Sequence, residues 1–205
     1  MRLTVLFLAI SLGALADIHA LDDLSPITAG FNSGGVANYV RGWRFQANAN
    51  VTVTELGAFT PHPIDAPFSV VLWDFNSQTM LASRNFVSDG LDAWQWQNLA
   101  SPVNLTSGSQ YIVSVFSTVG NYYFQSIGGP WQPTGTIQYL DMRYANAATV
   151  NTFPTSILGG YQYGVPDIGY HLTTTGAVPE PSTYALVTLA GVAGLLAKRR
   201  LRRRP

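Results

Sequence analysis

The sequence predicts an all-β protein: a single antiparallel β-sandwich of jelly-roll type, flanked by an N-terminal signal peptide and a C-terminal transmembrane helix. Short alternating segments fill the middle of the chain, and no stretch there repeats with the helical period. Apolar runs of helix length occur only at the two ends. A chain of 205 residues that is 47% hydrophobic can build one ordinary core, but it is too short for two comfortable domains.

The predicted sandwich domain covers residues 21–176, where short runs are separated by Gly, Pro, Asn and Asp. Val71, Trp73 and Phe75 alternate with Val70 and Leu72, so this strand is expected to be covered on both faces. The region 128–164 is rich in Gly, Pro, Asn and Tyr and predicts long surface loops, where ligand sites commonly lie. The nine predicted strands are residues 39–45, 51–59, 68–75, 80–87, 94–99, 110–117, 121–125, 137–144 and 167–174.

Residues 1–20 are predicted to be a secretory signal peptide. The stretch "MRLTVLFLAISLGALA" has a positive residue, Arg2, then an apolar run, then a small-x-small cleavage site that ends at Ala16. A second cleavage site after Ala20 is compatible with the sequence, so the prediction leaves both positions open.

Cysteine content and charge exclude several classes of function. The chain has no cysteine, which removes disulfides, thiolate zinc sites and cysteine nucleophiles. Six of the eleven basic residues lie in the last eight positions, and the predicted domain retains only four arginines, so it is acidic. We therefore expect no nucleic-acid partner.

The C-terminal segment 177–205 divides into three parts. Pro179, Glu180 and Pro181 precede a predicted transmembrane helix over residues 182–197, whose uncharged run 184–197 would be about 21 Å long as a helix. A bilayer core is about 30 Å thick, so the anchor is marginal. The positive-inside rule places the C-terminus in the cytoplasm. The basic tail, residues 198–205, contains Lys198, Arg199, Arg200, Arg202, Arg203 and Arg204.

This order of Pro-Glu-Pro, apolar helix and arginine-rich end resembles the PEP-CTERM sorting signal. The resemblance implies recognition by an exosortase, a membrane peptidase that cuts near the Pro-Glu-Pro. It also implies export through the inner membrane of a Gram-negative bacterium, with a transient single-pass form and a final place at the cell surface or outside the cell. Such proteins usually occur in species that make exopolysaccharide.

A second resemblance covers residues 51–86. The stretches "VTVTELGAF" and "FSVVLWDFNSQTMLASRNF" are similar to a family of bacterial extracellular β-sandwich domains of unknown function, with its "VxLWD" strand, turn and "LLAS" pattern. The resemblance implies a fold without a known activity.

No motif predicts a resident cofactor or metal. His62 and His171 lack partners at metal-ligand spacing, and the chain has no nucleophile elbow, Walker loop or HExxH sequence. The stretch "DFNSQ" at 74–78 begins like a calcium loop but departs from the EF-hand pattern, so a hairpin turn is the preferred interpretation. Asp89 and Asp92 remain candidates for Ca²⁺, although ordinary turn carboxylates explain them more simply.

Aromatic residues are the strongest candidates for ligand binding. Large rings beside Asn and Gln are what sandwich lectins use to hold sugars, although alternating rings are also typical of a buried face. Glu55 and Asp141 are the only carboxylates that we would test as a glycosidase pair, and nothing in the sequence brings them together. The candidate carbohydrate-binding residues are Trp94, Trp96, Trp131, Tyr161 and Tyr163.

The sequence therefore predicts an exported, exosortase-processed protein of the cell surface or extracellular matrix. The protein is expected to be associated with exopolysaccharide and to have no catalytic activity. The alternative is a carbohydrate-binding module, and a glycoside hydrolase ranks third.

Overall fold

All regular structure in the described part of the chain is β-strand, as the sequence predicts. The computed structural model describes residues 17–21, 30–32, 38–60, 67–87, 93–117, 122–126, 133, 135–146, 149–157, 161–163 and 166–173. For residues 30–32, 60, 117, 122–126 and 161–163 only the backbone is described. No helix in these ranges is long and apolar enough to cross a membrane, and the predicted transmembrane helix 182–197 falls outside them.

The described residues form thirteen strands. They are β1 Ile18–His19, β2 Gly30–Asn32, β3 Tyr39–Ala47, β4 Val51–Thr60, β5 Phe68–Asp74, β6 Met80–Phe86, β7 Ala93–Leu105, β8 Gln110–Ser117, β9 Tyr122–Ser126, β10 Ile137–Asn146, β11 Ser156–Ile157, β12 Tyr161–Tyr163 and β13 Pro166–Leu172.

Two antiparallel sheets pack against each other, which confirms the predicted β-sandwich. The four-stranded sheet has the order β1-β13-β4-β7, and the six-stranded sheet has the order β11-β10-β3-β8-β5-β6. A smaller sheet, β12-β9-β2, accompanies them. Sequence neighbours are often separated in these sheets, so the sandwich depends on pairing between distant segments of the chain.

The main core lies between the two large sheets. Val51, Val53 and Leu56 from β4 and Val70 and Leu72 from β5 are fully buried there. Each side chain of this size contributes about 1.5–3 kcal/mol when it leaves water. The largest fully buried side chains include Phe45, Phe86, Leu56, Leu72, Leu105, Ile112, Ile137, Met142 and Ile168.

The two-sided burial predicted for β5 is confirmed. Val71 and Trp73 point away from the main core into a second apolar cluster, which includes Ile112 and is covered by Phe75 and Phe153. The Trp73 ring meets Phe153 edge-on at 5.6 Å, and its Nε1–H donates to Ser114 Oγ at 2.9 Å. A segment around Phe153 therefore covers the outer face of the six-stranded sheet.

One buried hydrogen bond links the two large sheets across the core. The indole Nε1–H of Trp43, on β3, donates to the carbonyl oxygen of Pro166, on β13, at 2.8 Å. Tyr170 is also buried on β13, and burial, reinforced by the nearby Asp167 carboxylate, raises the pKa of its phenol above 10.0. Its phenol therefore stays neutral within the core at ordinary pH.

A charged cluster occupies the outer face of the six-stranded sheet. Asp141 accepts from Arg143 Nε at 2.7 Å, and it also binds the guanidinium of Arg44. Both guanidinium groups lie over the Phe75 ring, at 4.6 and 5.0 Å from its centre. The Arg143 side chain is only 8% exposed, so water stabilises its positive charge poorly. The Asp141 carboxylate supplies the stabilisation instead.

The nine predicted strands are all present, with ends that differ by a few residues. The largest difference is in β7, which runs to Leu105 because a register shift opposite Val53 and Glu55 lets the strand bulge and continue. Outside the predicted strand 137–144, the prediction of long loops in 128–164 is wrong at Ser156–Ile157 and Tyr161–Tyr163, which form β11 and β12. Strands of two or three residues are too short to produce a visible alternation.

We expect Asp141→Ala to lower the free energy of unfolding by about 2–3 kcal/mol, because it leaves the Arg143 charge in a nearly dry site. The expected loss is smaller than the loss for breaking a fully buried ion pair, since Asp141 is 19% exposed. Chemical denaturation of the mature protein measures the loss. The control Asn146→Ala, at an exposed position of the same strand, should change stability by less than about 0.5 kcal/mol. Equal losses in the two variants would contradict the role given to the carboxylate.

Candidate functional site

A row of four aromatic rings, the aromatic ladder, crosses one end of the four-stranded sheet. Phe59 meets Trp94 edge-on at 5.7 Å, Trp94 stacks on Trp96 at 5.5 Å, and Trp96 stacks on His19 at 3.7 Å. Phe59 and Trp94 also contact the main core, so the ladder leads from the core margin outward to His19. Trp94 and Trp96 share one face, as their spacing of two predicts.

Two glycines make room for the ladder. Gly57 is paired with Trp96 in the β4–β7 register, and a Cβ atom at position 57 would overlap the indole ring. Gly169 is paired with Glu55, and a Cβ there would overlap the Glu55 side chain. Because neither glycine has a side chain, the ring and the carboxylate lie directly on the backbone of the sheet.

His19 connects the ladder to a carboxylate. Its Nε2 lies 2.6 Å from Glu55 Oε1, and the two side chains are only 18% and 13% exposed. Nearby, Thr54 Oγ1 donates to Asp17 at 2.6 Å, and His171 Nδ1 lies 3.6 Å from the same carboxylate. These four polar side chains, Asp17, His19, Glu55 and His171, pair across three strands of one sheet.

Within the described ranges no group of three or more His, Cys, Asp or Glu residues could hold a metal ion. His171 is on β13, half-buried, and it lies beside Asp17.

The predicted turn after β5 is confirmed: Asp74 Oδ1 accepts from Ser77 N at 2.8 Å and from Ser77 Oγ at 2.9 Å, and β5 and β6 pair as a hairpin. His62, Asp89 and Asp92 lie outside the described residues.

The structure does not bring Glu55 and Asp141 together. Glu55 belongs to the four-stranded sheet, on the face opposite Leu56, whereas Asp141 belongs to the six-stranded sheet and binds Arg44 and Arg143. The main core lies between the two sheets. A glycosidase pair requires carboxyl groups about 5–10 Å apart across one cleft, so these two residues do not form such a pair.

Of the residues predicted to bind carbohydrate, Trp94 and Trp96 are half-buried in the aromatic ladder. Part of the Trp96 ring is already covered by His19 and Trp94, so the ladder presents only part of its ring surface to a ligand. Tyr161 and Tyr163 are on β12, where only the backbone is described, and Trp131 falls outside the described ranges. Their contribution stays a prediction.

His19 and Asp17 are the residues of this face that sequence analysis missed. Both lie inside residues 1–20, the predicted signal peptide, and so outside the predicted domain 21–176. The alternation of polar Asp17 and His19 with apolar Ile18 is the signal that could have found them.

Comparison with known proteins defines the class of this chain. Residues 177–204 match the PEP-CTERM protein-sorting motif, so the chain combines a β-sandwich with the sorting signal of an exosortase substrate. Residues 28–165 match the family described as domain of unknown function DUF4082, and the chain belongs to that family. No match was found among the curated proteins.

The contact between Gly57 and Trp96 gives a test of the ladder. We expect Gly57→Ala to lower the free energy of unfolding by about 1–3 kcal/mol, because the new methyl group must displace the indole. In a Trp96→Ala background the same change should cost less than about 0.5 kcal/mol, since the obstacle is gone. Thermal or chemical unfolding of the four proteins in this cycle measures the coupling. Additive losses would show that the ring does not lie on Gly57.

Proposed function

We propose that the protein is exported, trimmed by an exosortase, and retained at the cell surface or in the extracellular matrix as a non-catalytic component associated with exopolysaccharide. The observation that carries the proposal is the sorting motif at 177–204 on the same chain as a β-sandwich domain. The motif accounts for export and processing, and the sandwich is the part that remains after processing.

The three parts of the tail have separable roles in this proposal. The basic residues 198–204 hold the C-terminus in the cytoplasm, with about 1 kcal/mol of attraction to anionic lipid for each residue near the surface. The apolar segment 182–197 keeps the protein in the membrane only briefly, because it is short for a bilayer. Pro179 and Pro181 keep the segment before it extended, which suits a peptidase that must engage a peptide backbone.

The packing of the charged side chains supports a non-catalytic role. Glu55 is paired with His19, whose ring stacks on the Trp96 indole. Asp141 lies between two arginines, Arg44 and Arg143. A general acid or base needs a carboxyl group that can reach the substrate. Both carboxylates are instead occupied by contacts that stabilise the sheets.

The sorting role is tested by replacing Pro179, Glu180 and Pro181 with alanine in the native host. We expect the full-length protein to accumulate in the inner membrane, because the helix can extend through the cut region and the exosortase loses its motif. Fractionation and intact mass measure the outcome. The control, Arg202, Arg203 and Arg204 replaced by serine, should instead weaken retention or orientation. A triple-alanine protein that reached the surface at its normal mature mass would contradict the proposal.

A carbohydrate-binding module is the second candidate function. The observation that favours it is the aromatic ladder, in which Trp94 and Trp96 remain partly exposed beside the exposed amide of Asn98, which lies on the same face of β7. Aromatic faces with neighbouring amides match the stacking and hydrogen-bonding needs of sugars. Trp131, Tyr161 and Tyr163 would extend this surface, and Ca²⁺ at Asp89 and Asp92 remains a separate prediction.

We expect Trp94→Ala to weaken binding of the mature protein to the host's own exopolysaccharide by roughly tenfold, the value of one lost ring contact at about 1.4 kcal/mol. Co-sedimentation with purified polysaccharide measures the effect. The matched control Phe75→Leu changes a half-buried ring that packs against the outer face of the other large sheet and should leave binding unchanged. Equal binding by wild type and Trp94→Ala would reject the ladder as a sugar site.

A further inference from the structure

The segment Asp17–Leu21 is built into the sandwich as the edge of its four-stranded sheet. Within it, β1 pairs with β13 through Ile18 opposite Tyr170 and His19 opposite Gly169. The backbone continues this pairing beyond β1, because Ala20 N donates to Ile168 O at 3.3 Å. The segment thus satisfies backbone groups of β13 that an open sheet edge would expose.

Its side chains fit specific places on the sheet. Asp17 accepts a hydrogen bond from Thr54 and lies beside His171. His19 pairs with Glu55 at 2.6 Å and stacks on Trp96 at 3.7 Å, above the glycines that make room for the cluster. Ile18, whose side chain would face the other way, is 49% exposed. This alternation is that of a strand with one covered face.

Leu21 completes the segment inside the core. It is 2% exposed and belongs to the main apolar cluster, and its N–H donates to Asp167 Oδ2 at 2.8 Å. Asp167 is itself fully buried, so this hydrogen bond is made out of contact with water. The N–H of the Ala20–Leu21 peptide bond and the N–H of the peptide bond before it are therefore both engaged with β13.

The two cleavage positions compatible with the signal peptide have opposite consequences. A cut after Ala16 keeps every one of these contacts. A cut after Ala20 would leave the Leu21 nitrogen near Asp167, but it would remove the contacts made by Asp17 and His19. The third residue before the cleaved bond also differs between the two positions. It is Ala14 for the first and the larger, branched Ile18 for the second, and signal peptidase favours a small residue there.

We infer that signal peptidase hydrolyses the Ala16–Asp17 peptide bond, so that the mature protein begins at Asp17 and retains Asp17–Leu21 as an edge strand. Water adds across this amide, which leaves a carboxylate on Ala16 and an ammonium group on Asp17. The inference rests on the export step of the proposed function. The alternative bond, Ala20–Leu21, is protected from hydrolysis by the fold once β1 has paired with β13.

The test is the N-terminus of the protein purified from its native host, determined by intact mass and by sequencing of the N-terminal peptide. We expect the first residue to be Asp17. A protein that begins at Leu21 would overturn this cleavage site while leaving export intact. A protein that still begins at Met1 would overturn both the cleavage site and the export step of the proposed function.

A matched pair of variants tests the role of the segment independently. His19→Ala should lower the melting temperature of the mature protein by roughly 3–8 °C, because it removes a paired ring that stacks on Trp96. Ile18→Ala, on the same strand but at a largely exposed position, should shift the melting temperature by less than about 2 °C. If neither variant changes the melting temperature, the segment is not part of the folded domain and the inference fails.

Discussion

The buried hydrogen bond from Trp43 to the carbonyl of Pro166 links the two large sheets through the main core. A buried indole N–H needs an acceptor, and here the acceptor is supplied by a strand of the opposite sheet at 2.8 Å. This bond ties β3, in the middle of the six-stranded sheet, to the start of β13. Asp167 and Gly169 follow closely on β13, so the groups that receive Leu21 and Glu55 lie on the strand that this bond holds.

The outer faces of the two sheets are stabilised by different kinds of contact. On the four-stranded sheet, stacked rings lie over glycines and end at the His19–Glu55 pair. On the six-stranded sheet, Asp141 neutralises two arginines above the Phe75 ring. A protein without cysteine that acts outside the cell must obtain its stability from packing of this kind, since no disulfide supplements the core.

The sequence was sufficient for the features that depend on local pattern. Alternation of Val70 and Val71 predicted two-sided burial of β5, and the spacing of Trp94 and Trp96 placed both rings on one face. The contact between His19 and Trp96 joins residues far apart in the chain, so no local pattern predicts it. The separation of Glu55 and Asp141 into different sheets likewise follows from the strand order, which the sequence does not reveal.

The central claim is that the two sheets form one cooperative unit, joined through the shared core and the Trp43–Pro166 bond. Native-state hydrogen exchange of the mature protein across increasing denaturant tests it most directly. The account predicts that the slowest amides of β3 and of β13 exchange with the same free energy of opening, although they belong to different sheets. Exchange of β13 through a separate opening of clearly lower free energy would contradict the account.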